Sequence, residues 1–136
     1  MVAALALRWN TILVPKTIVL ESGGELRLDG YNRDEKIAVE AWAHHGRSKP
    51  AQRHKIANDM LKLLMVRRLL GDGWRLVLLF ADPEAHHFLE GRSWRAKMVS
   101  LFGFQIEEVD IPAEVHARVR AAQKRQAPAT GLPFTP

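Results

Sequence analysis

The stretch that most limits the fold is residues 74–80, WRLVLLF, apolar at every position except Arg75. A strand with one wet face alternates polar and apolar residues, whereas a short continuous run is the pattern of a strand covered on both faces. The run therefore predicts a strand inside a sheet, with paired neighbours and helices packed over it. A chain of 136 residues with 47% hydrophobic residues is long enough to bury such a core as one domain. It has no cysteine, so neither a disulfide framework nor a Cys-based zinc site contributes. The expected class is α/β, with a mixed central sheet of about four to five strands flanked by helices.

Upstream, residues 8–20 are rich in β-branched side chains and interrupted by Pro15, which predicts an early strand with a bulge or an edge position. Ser22, Gly23 and Gly24 make the turn into a second strand over 25–29, in which Leu26 and Leu28 face one way and Glu25, Arg27 and Asp29 the other. Gly30, Tyr31, Asn32, Arg33 and Asp34 supply turn chemistry, and 36–43 reads as a third strand, with Ile37 and Val39 on one face and Glu40, Trp42 and His44 on the other. Most of that strand is apolar, which puts Glu40 inside, where a lone ionised carboxylate costs several kcal/mol. A hairpin brings Asp29 and Glu40 close enough to share a hard cation such as magnesium. The competing reading is an Asx-type turn at Asp29 and an ordinary salt bridge at Glu40.

A helix over 51–70, with Pro50 at its first turn, carries Ile56, Ala57, Met60, Leu61, Leu63 and Leu64 at helical spacing. At about 100° per residue, Gln52, Lys55 and Asp59 lie within an arc of roughly 60° beside the apolar stripe. Between Arg47 and Arg68 seven cations face one acid, Asp59. Lys62, Arg67 and Arg68 read as a solvated face. Arg47, Lys49 and Arg53, on the loop and first turn nearest Glu40, read either as solvated or as phosphate contacts. His44 and His45 are adjacent and point to opposite sides of an extended chain, so packing is the default for both.

An Asp at the end of one strand, a Glu in the next and a basic helix bearing Gln and Lys resemble the PD-(D/E)XK, or restriction-endonuclease-like, nuclease superfamily. The resemblance covers roughly residues 9–111. It implies a restriction-endonuclease-like core and metal-dependent hydrolysis of phosphodiester bonds in nucleic acid, with DNA the expected substrate and Mg2+ or Mn2+ the cofactor. Asp29 and Glu40 would hold the metal. That family usually places a Lys two residues after the Glu, where this chain has Trp42; the family's habit of moving the Lys to the neighbouring helix makes Lys55 the substitute, with Gln52 as a supporting contact. Arg47, Lys49 and Arg53 would bind the nucleic acid, and a homodimer would serve two strands. The alternative is a catalytically inactive nuclease-like domain that binds nucleic acid or a partner protein, which Trp42 at the lysine position favours.

The net charge of +5 and pI near 10.0 suit a polyanionic partner and equally suit plain solubility. Residues 1–7 are apolar but too few to cross a bilayer, and no signal peptide is read there; a cytoplasmic protein without a membrane partner is the expectation. The helix that usually precedes the first strand in the superfamily is expected to be shortened or missing, and Glu21 to be a solvated strand-end charge. Asp82 and Pro83 open a helix running to about residue 101, with His86 and His87 exposed on it. A strand follows over 104–111, whose Glu107 and Glu108 alternate faces as edge charge. A basic helix over 112–126 closes the domain, and 127–136 reads as a flexible tail. No repeat, glycine-rich phosphate loop or Ser-His-Asp pattern is present.

Overall fold

A computed structural model describes residues 1–126; the tail expected over 127–136 lies outside them. The elements run α1 (Val2–Arg8), β1 (Val14–Val19), β2 (Glu25–Asn32), β3 (Ile37–Trp42), α2 (Pro50–Leu70), β4 (Arg75–Phe80), a 3-10 segment (Pro83–Leu89), α3 (Trp94–Phe102), β5 (Phe104–Glu108) and α4 (Ala113–Gln126). The five strands form one sheet in the order β1-β2-β3-β4-β5. The first three are antiparallel neighbours, and β3, β4 and β5 are parallel. The fold is thus α/β with a five-stranded mixed sheet flanked by helices, as the sequence predicts. No helix among the described residues is long and apolar enough to cross a membrane.

Residues 75–80 of the apolar run form β4, paired along both edges, and Leu76 to Phe80 are fully buried. Its alternate residues feed two cores. Leu76, Leu78 and Phe80 join Ala38 and Trp42 of β3 under Ile56, Met60, Leu63 and Val66 of α2, with Met98 and Val99 of α3 at the margin. Val77 and Leu79 join Ile37 and Val39 on the opposite face, beneath Leu5 of α1. Each such aliphatic side chain contributes about 1.5–3 kcal/mol when fully buried, so the first core holds both parallel crossovers against one face of the sheet and the second holds α1 against the other.

The ladder between β1 and β2 slips by one residue. Val14 pairs with Tyr31, but Lys16 pairs with Leu28, so Pro15 alone faces two residues, Asp29 and Gly30. This is a β-bulge whose extra residue is on β2, opposite a proline that has no N–H to give the ladder. Strict alternation fails across it. Leu26 and Leu28 face the α2 core and so does Tyr31, while Gly30 faces α1. Counting back from Gly30, Asp29 is turned to the α2 side, the side of Glu40, and not to the face shared by Glu25 and Arg27. Strand β2 also extends through Asn32, so the turn is confined to Arg33, Asp34, Glu35 and Lys36, with Lys36 left-handed at φ 55°.

Gly30 is required by close approach. A Cβ there would lie 2.9 Å from Val2 Cγ1 and 3.2 Å from Val39 Cβ. Gly30→Ala is expected to push α1 off the sheet and cost about 1–3 kcal/mol, the usual range for overpacking. Urea denaturation checks this, and an unchanged midpoint would mean that α1 yields freely.

A short helix, α1, precedes the first strand, in line with the shortened helix expected there, and β1 begins only at Val14. Two further details differ from the sequence reading. The helix expected over 82–101 is two pieces: Asp82 caps the 3-10 segment by accepting from Glu84 N at 3.0 Å, the chain breaks at Gly91 with φ 104°, and Ser93 caps α3 through Ala96 N at 3.1 Å. His86, expected to be exposed, is buried, packed at a tilt against Phe80 with ring centroids 5.0 Å apart, and its Nε2 lies 2.7 Å from Glu108 Oε1. It shares the inward side of the segment with Ala85 and Leu89, which are also buried.

Candidate functional site

Glu40 occupies the β3 position between Ala38 and Trp42, all three on the α2 side, and is 3% exposed. One strand over, the bulge delivers Asp29 to the same side. The regular β2–β3 ladder stops at Gly30 and Val39. Beyond it the N–H of Ala41 has no strand partner on that edge, and Asp29 Oδ2 accepts it at 2.8 Å. A side-chain carboxylate thus replaces a ladder bond and is fixed where the two strands part.

Helix α2 supplies the opposite wall. Lys55, Asp59 and Lys62 follow one another at i, i+4 and i+7, one stripe of the helix. Lys62 Nζ lies 2.8 Å from Glu40 Oε1 and 3.7 Å from Asp59 Oδ1. The contact with Glu40 is an ion-pair contact on a buried carboxylate oxygen. Lys55 Nζ sits 4.9 Å over the Trp42 ring, a cation–π contact. Together Asp29, Glu40, Trp42, His44, Lys55, Asp59 and Lys62 line one cleft of about 460 Å3, closed on its third side by Val119, Ala122 and Gln123 of α4.

The electrostatics follow from crowding three carboxylates behind two ammonium groups. Burial pushes the Glu40 carboxyl up to about 8 from 4.5, with Asp29 adding to the rise and Lys62 pulling against it. Burial likewise raises Asp59, opposed by Lys62 and Lys55. His44 is lowered, first by burial and then by Lys55 and His45. Near neutral pH Glu40 therefore holds a proton that an added cation would displace. Among the described residues no three His, Asp or Glu side chains are grouped to enclose an ion by themselves. The donor set for one is the pair Asp29 and Glu40, hard oxygens facing one cleft, which fits a magnesium ion that retains several of its waters and takes the place of Lys62 at Glu40 Oε1.

Of the residues singled out in the sequence, Asp29, Glu40 and Lys55 meet in this cleft. Gln52 does not line it: its Oε1 accepts from Lys49 N at 2.9 Å, capping α2, and its Nε2 contacts His44 Nδ1 at 3.3 Å. Arg47 pairs with Glu84 at 3.3 Å, Arg53 donates to Ser48 O at 3.0 Å and lies 5.9 Å from Phe88, and these two arginines border a separate depression with Glu84, His87 and Phe88. Lys49 is exposed as the N-cap of α2.

Sequence reasoning missed Lys62, which it placed on a solvated face. The signal was available: Lys55, Asp59 and Lys62 at heptad-like spacing on a helix that follows a buried Glu. It also missed α4 as a wall of the cleft. There Gln123 holds the loop after β3, accepting from His45 N at 3.1 Å and donating to His45 O at 3.3 Å, while His116 Nδ1 meets His45 Nε2. Asp82 braces the same loop. Burial alone would raise its carboxyl, but the N–H groups of Gly46 and Glu84 outweigh that and hold it low. Comparison with models of known families, with curated proteins and with solved structures finds no match to this chain.

Proposed function

We propose that this protein is a metal-dependent nuclease that hydrolyses phosphodiester bonds in nucleic acid, DNA being the preferred candidate. The observation that carries the reading is the convergence of Asp29 and Glu40, from two adjoining strands, with Lys55 and Lys62 of α2 in one open cleft. The order of elements around it, a short helix, three antiparallel strands, a helix and a parallel strand, supports the likeness to the restriction-endonuclease-like core. A magnesium or manganese ion held by Asp29 and Glu40 would supply Lewis acidity and an acidified water.

The chain's own residues divide the remaining work. Asp29 is fixed by the Ala41 N–H, so its second oxygen is the one free to serve a ligand. Lys62 holds Glu40 in place and would offset its charge once the proton leaves. Lys55, exposed and resting on Trp42, is the cation available to a phosphate oxygen, where it would offset the charge that builds as the bond breaks. Trp42 fills the usual lysine position with packing, and the two helix lysines take over the cationic role.

The test is cleavage of supercoiled plasmid and of single-stranded DNA with magnesium or manganese, comparing wild type with Glu40→Gln, Lys55→Ala and Lys62→Ala. The expected result is metal-dependent cleavage lost in Glu40→Gln and reduced at least a hundredfold in each lysine variant, the usual scale for losing a group that stabilises transition-state charge. Retained cleavage in Glu40→Gln would remove Glu40 from the chemistry. A second reading, a catalytically silent domain that binds nucleic acid, is favoured by one observation: the Lys62 ammonium already sits against Glu40, where a metal would otherwise be held. Nucleic-acid binding without cleavage in either metal would select it.

A further inference from the structure

Helix α4 has two unlike sides. Val115, His116, Val119, Ala122 and Gln123, at i, i+1, i+4, i+7 and i+8, form its inward stripe, yet none of them is fully buried. The rest of the helix carries Arg118, Arg120, Lys124 and Arg125 against one acid, Glu114. All four cations are exposed. At 100° per residue Arg118 and Arg125 fall on the flank next to Ala122, which lines the Asp29/Glu40 cleft. Arg120 falls on the other flank, facing a depression with His45, Asp82 and His116. Seven residues of helix separate Arg118 from Arg125, about 10 Å at 1.5 Å each.

The cleft lies between α2 and α4, with its carboxylates at the base on β2 and β3. An unpaired strand is narrower and more flexible than a duplex, which suits it to carboxylates at the base of a cleft walled by two helices. Lys55 on the α2 wall and Arg118 and Arg125 on the α4 flank then present cations along both sides of the entrance. A positive groove beside aromatic surface is the usual platform for an unpaired strand; here the aromatic surface is His44, 5.6 Å from Trp42.

We propose that the cleft between α2 and α4 takes a single strand of nucleic acid, or an unpaired end or flap of a duplex, and that Arg118 and Arg125 grip its phosphates. This rests on the reading of the Asp29/Glu40 cleft as a nucleic-acid site, and it assigns to α4 the strand contact first expected of Arg47, Lys49 and Arg53.

The experiment is fluorescence-anisotropy binding of a labelled oligo(dT) strand and of a blunt duplex of equal length, in EDTA, across a salt series. It compares wild type, the Arg118→Ala/Arg125→Ala double variant and an Arg47→Ala/Arg53→Ala variant, all checked for matching circular dichroism. Wild type is expected to bind the strand more tightly than the duplex. The α4 variant should lower the slope of log affinity against log salt by about 1.4, two phosphates at about 0.7 each for a single strand. The Arg47/Arg53 variant should leave that slope unchanged. Wild-type-like strand binding by the α4 variant, or a preference for blunt duplex, overturns the proposal. Because binding is read in EDTA and cleavage separately with metal, the two readings separate: strand binding that depends on α4, with no cleavage when metal is supplied, sinks the nuclease and keeps the grip, while metal-dependent cleavage with an unaffected α4 variant does the reverse. No binding to either oligonucleotide overturns the grip outright.

Discussion

Glu40→Gln is expected to flatten the pH dependence of stability and to make the metal-free protein more stable at alkaline pH than wild type. The sign follows from the carboxyl being raised to about 8 in the fold from 4.5. Below 4.5 the group is protonated in both states and contributes no pH dependence. Between 4.5 and about 8 the unfolded chain loses the proton and the folded protein keeps it. The folded state then binds more protons, and stability falls as pH rises by up to about 1.4 kcal/mol per pH unit. Above about 8 the loss levels off, at a total of a few kcal/mol. Glutamine fills the same volume and does not titrate. Chemical denaturation of both proteins in EDTA across this range checks the expectation; parallel curves would show that Glu40 is solvated and ionised. A variant that loses activity while gaining stability would also mark Glu40 as retained for chemistry at the expense of the fold.

The second large effect concerns the same proton. A metal ion and a proton compete for Glu40, so metal affinity should depend on pH. At subsaturating magnesium, the cleavage rate is expected to rise about tenfold per pH unit until it levels near the pKa of about 8. Saturating metal should move the break to lower pH, since the cation then displaces the proton. Initial rates at two metal concentrations across pH settle this. A break that ignores metal concentration would assign the titration to some group other than a metal ligand. Titration calorimetry in buffers of different ionisation heat offers a second reading, with up to one proton released per ion bound.

Much of the frame is legible from the chain because it is written in hydrophobic pattern. The run 74–80 has no polar face, so it can only be an interior strand, and β4 is one. Residues 50–70 repeat their apolar positions with helical period and open on proline, and α2 has those bounds. Asp29 and Glu40 were also visible, as polar residues in apolar strands. Their meeting was harder to see. Alternation puts Asp29 on the face of Glu25 and Arg27, and only the bulge opposite Pro15 turns it toward Glu40; Pro15 hints at irregularity but does not say on which strand the extra residue falls. Lys62 was hidden by a general truth, that lysines on helices are usually solvated, which fails where a buried carboxylate stands across from one. Gln52 illustrates the converse: a polar residue near a site can be consumed by local backbone needs, here the first turn of α2. His86 was misplaced because its burial depends on Phe80 and Glu108, tertiary partners that no local pattern announces.

The bulge at Asp29 and Gly30 has a consequence beyond geometry. The carboxylate's address in the cleft is set first by a count, two residues against one, and is then held by the bond from the Ala41 N–H. Removing one residue at this point would restore plain pairing and swing the acid to the far side of the sheet, with composition, charge and hydrophobic content almost untouched. A comparison that scores amino-acid types position by position records such a change as a small gap. The information for this half of the site is therefore carried in spacing, and related chains are better sought by where a strand gains a residue before a Gly than by which residues surround it.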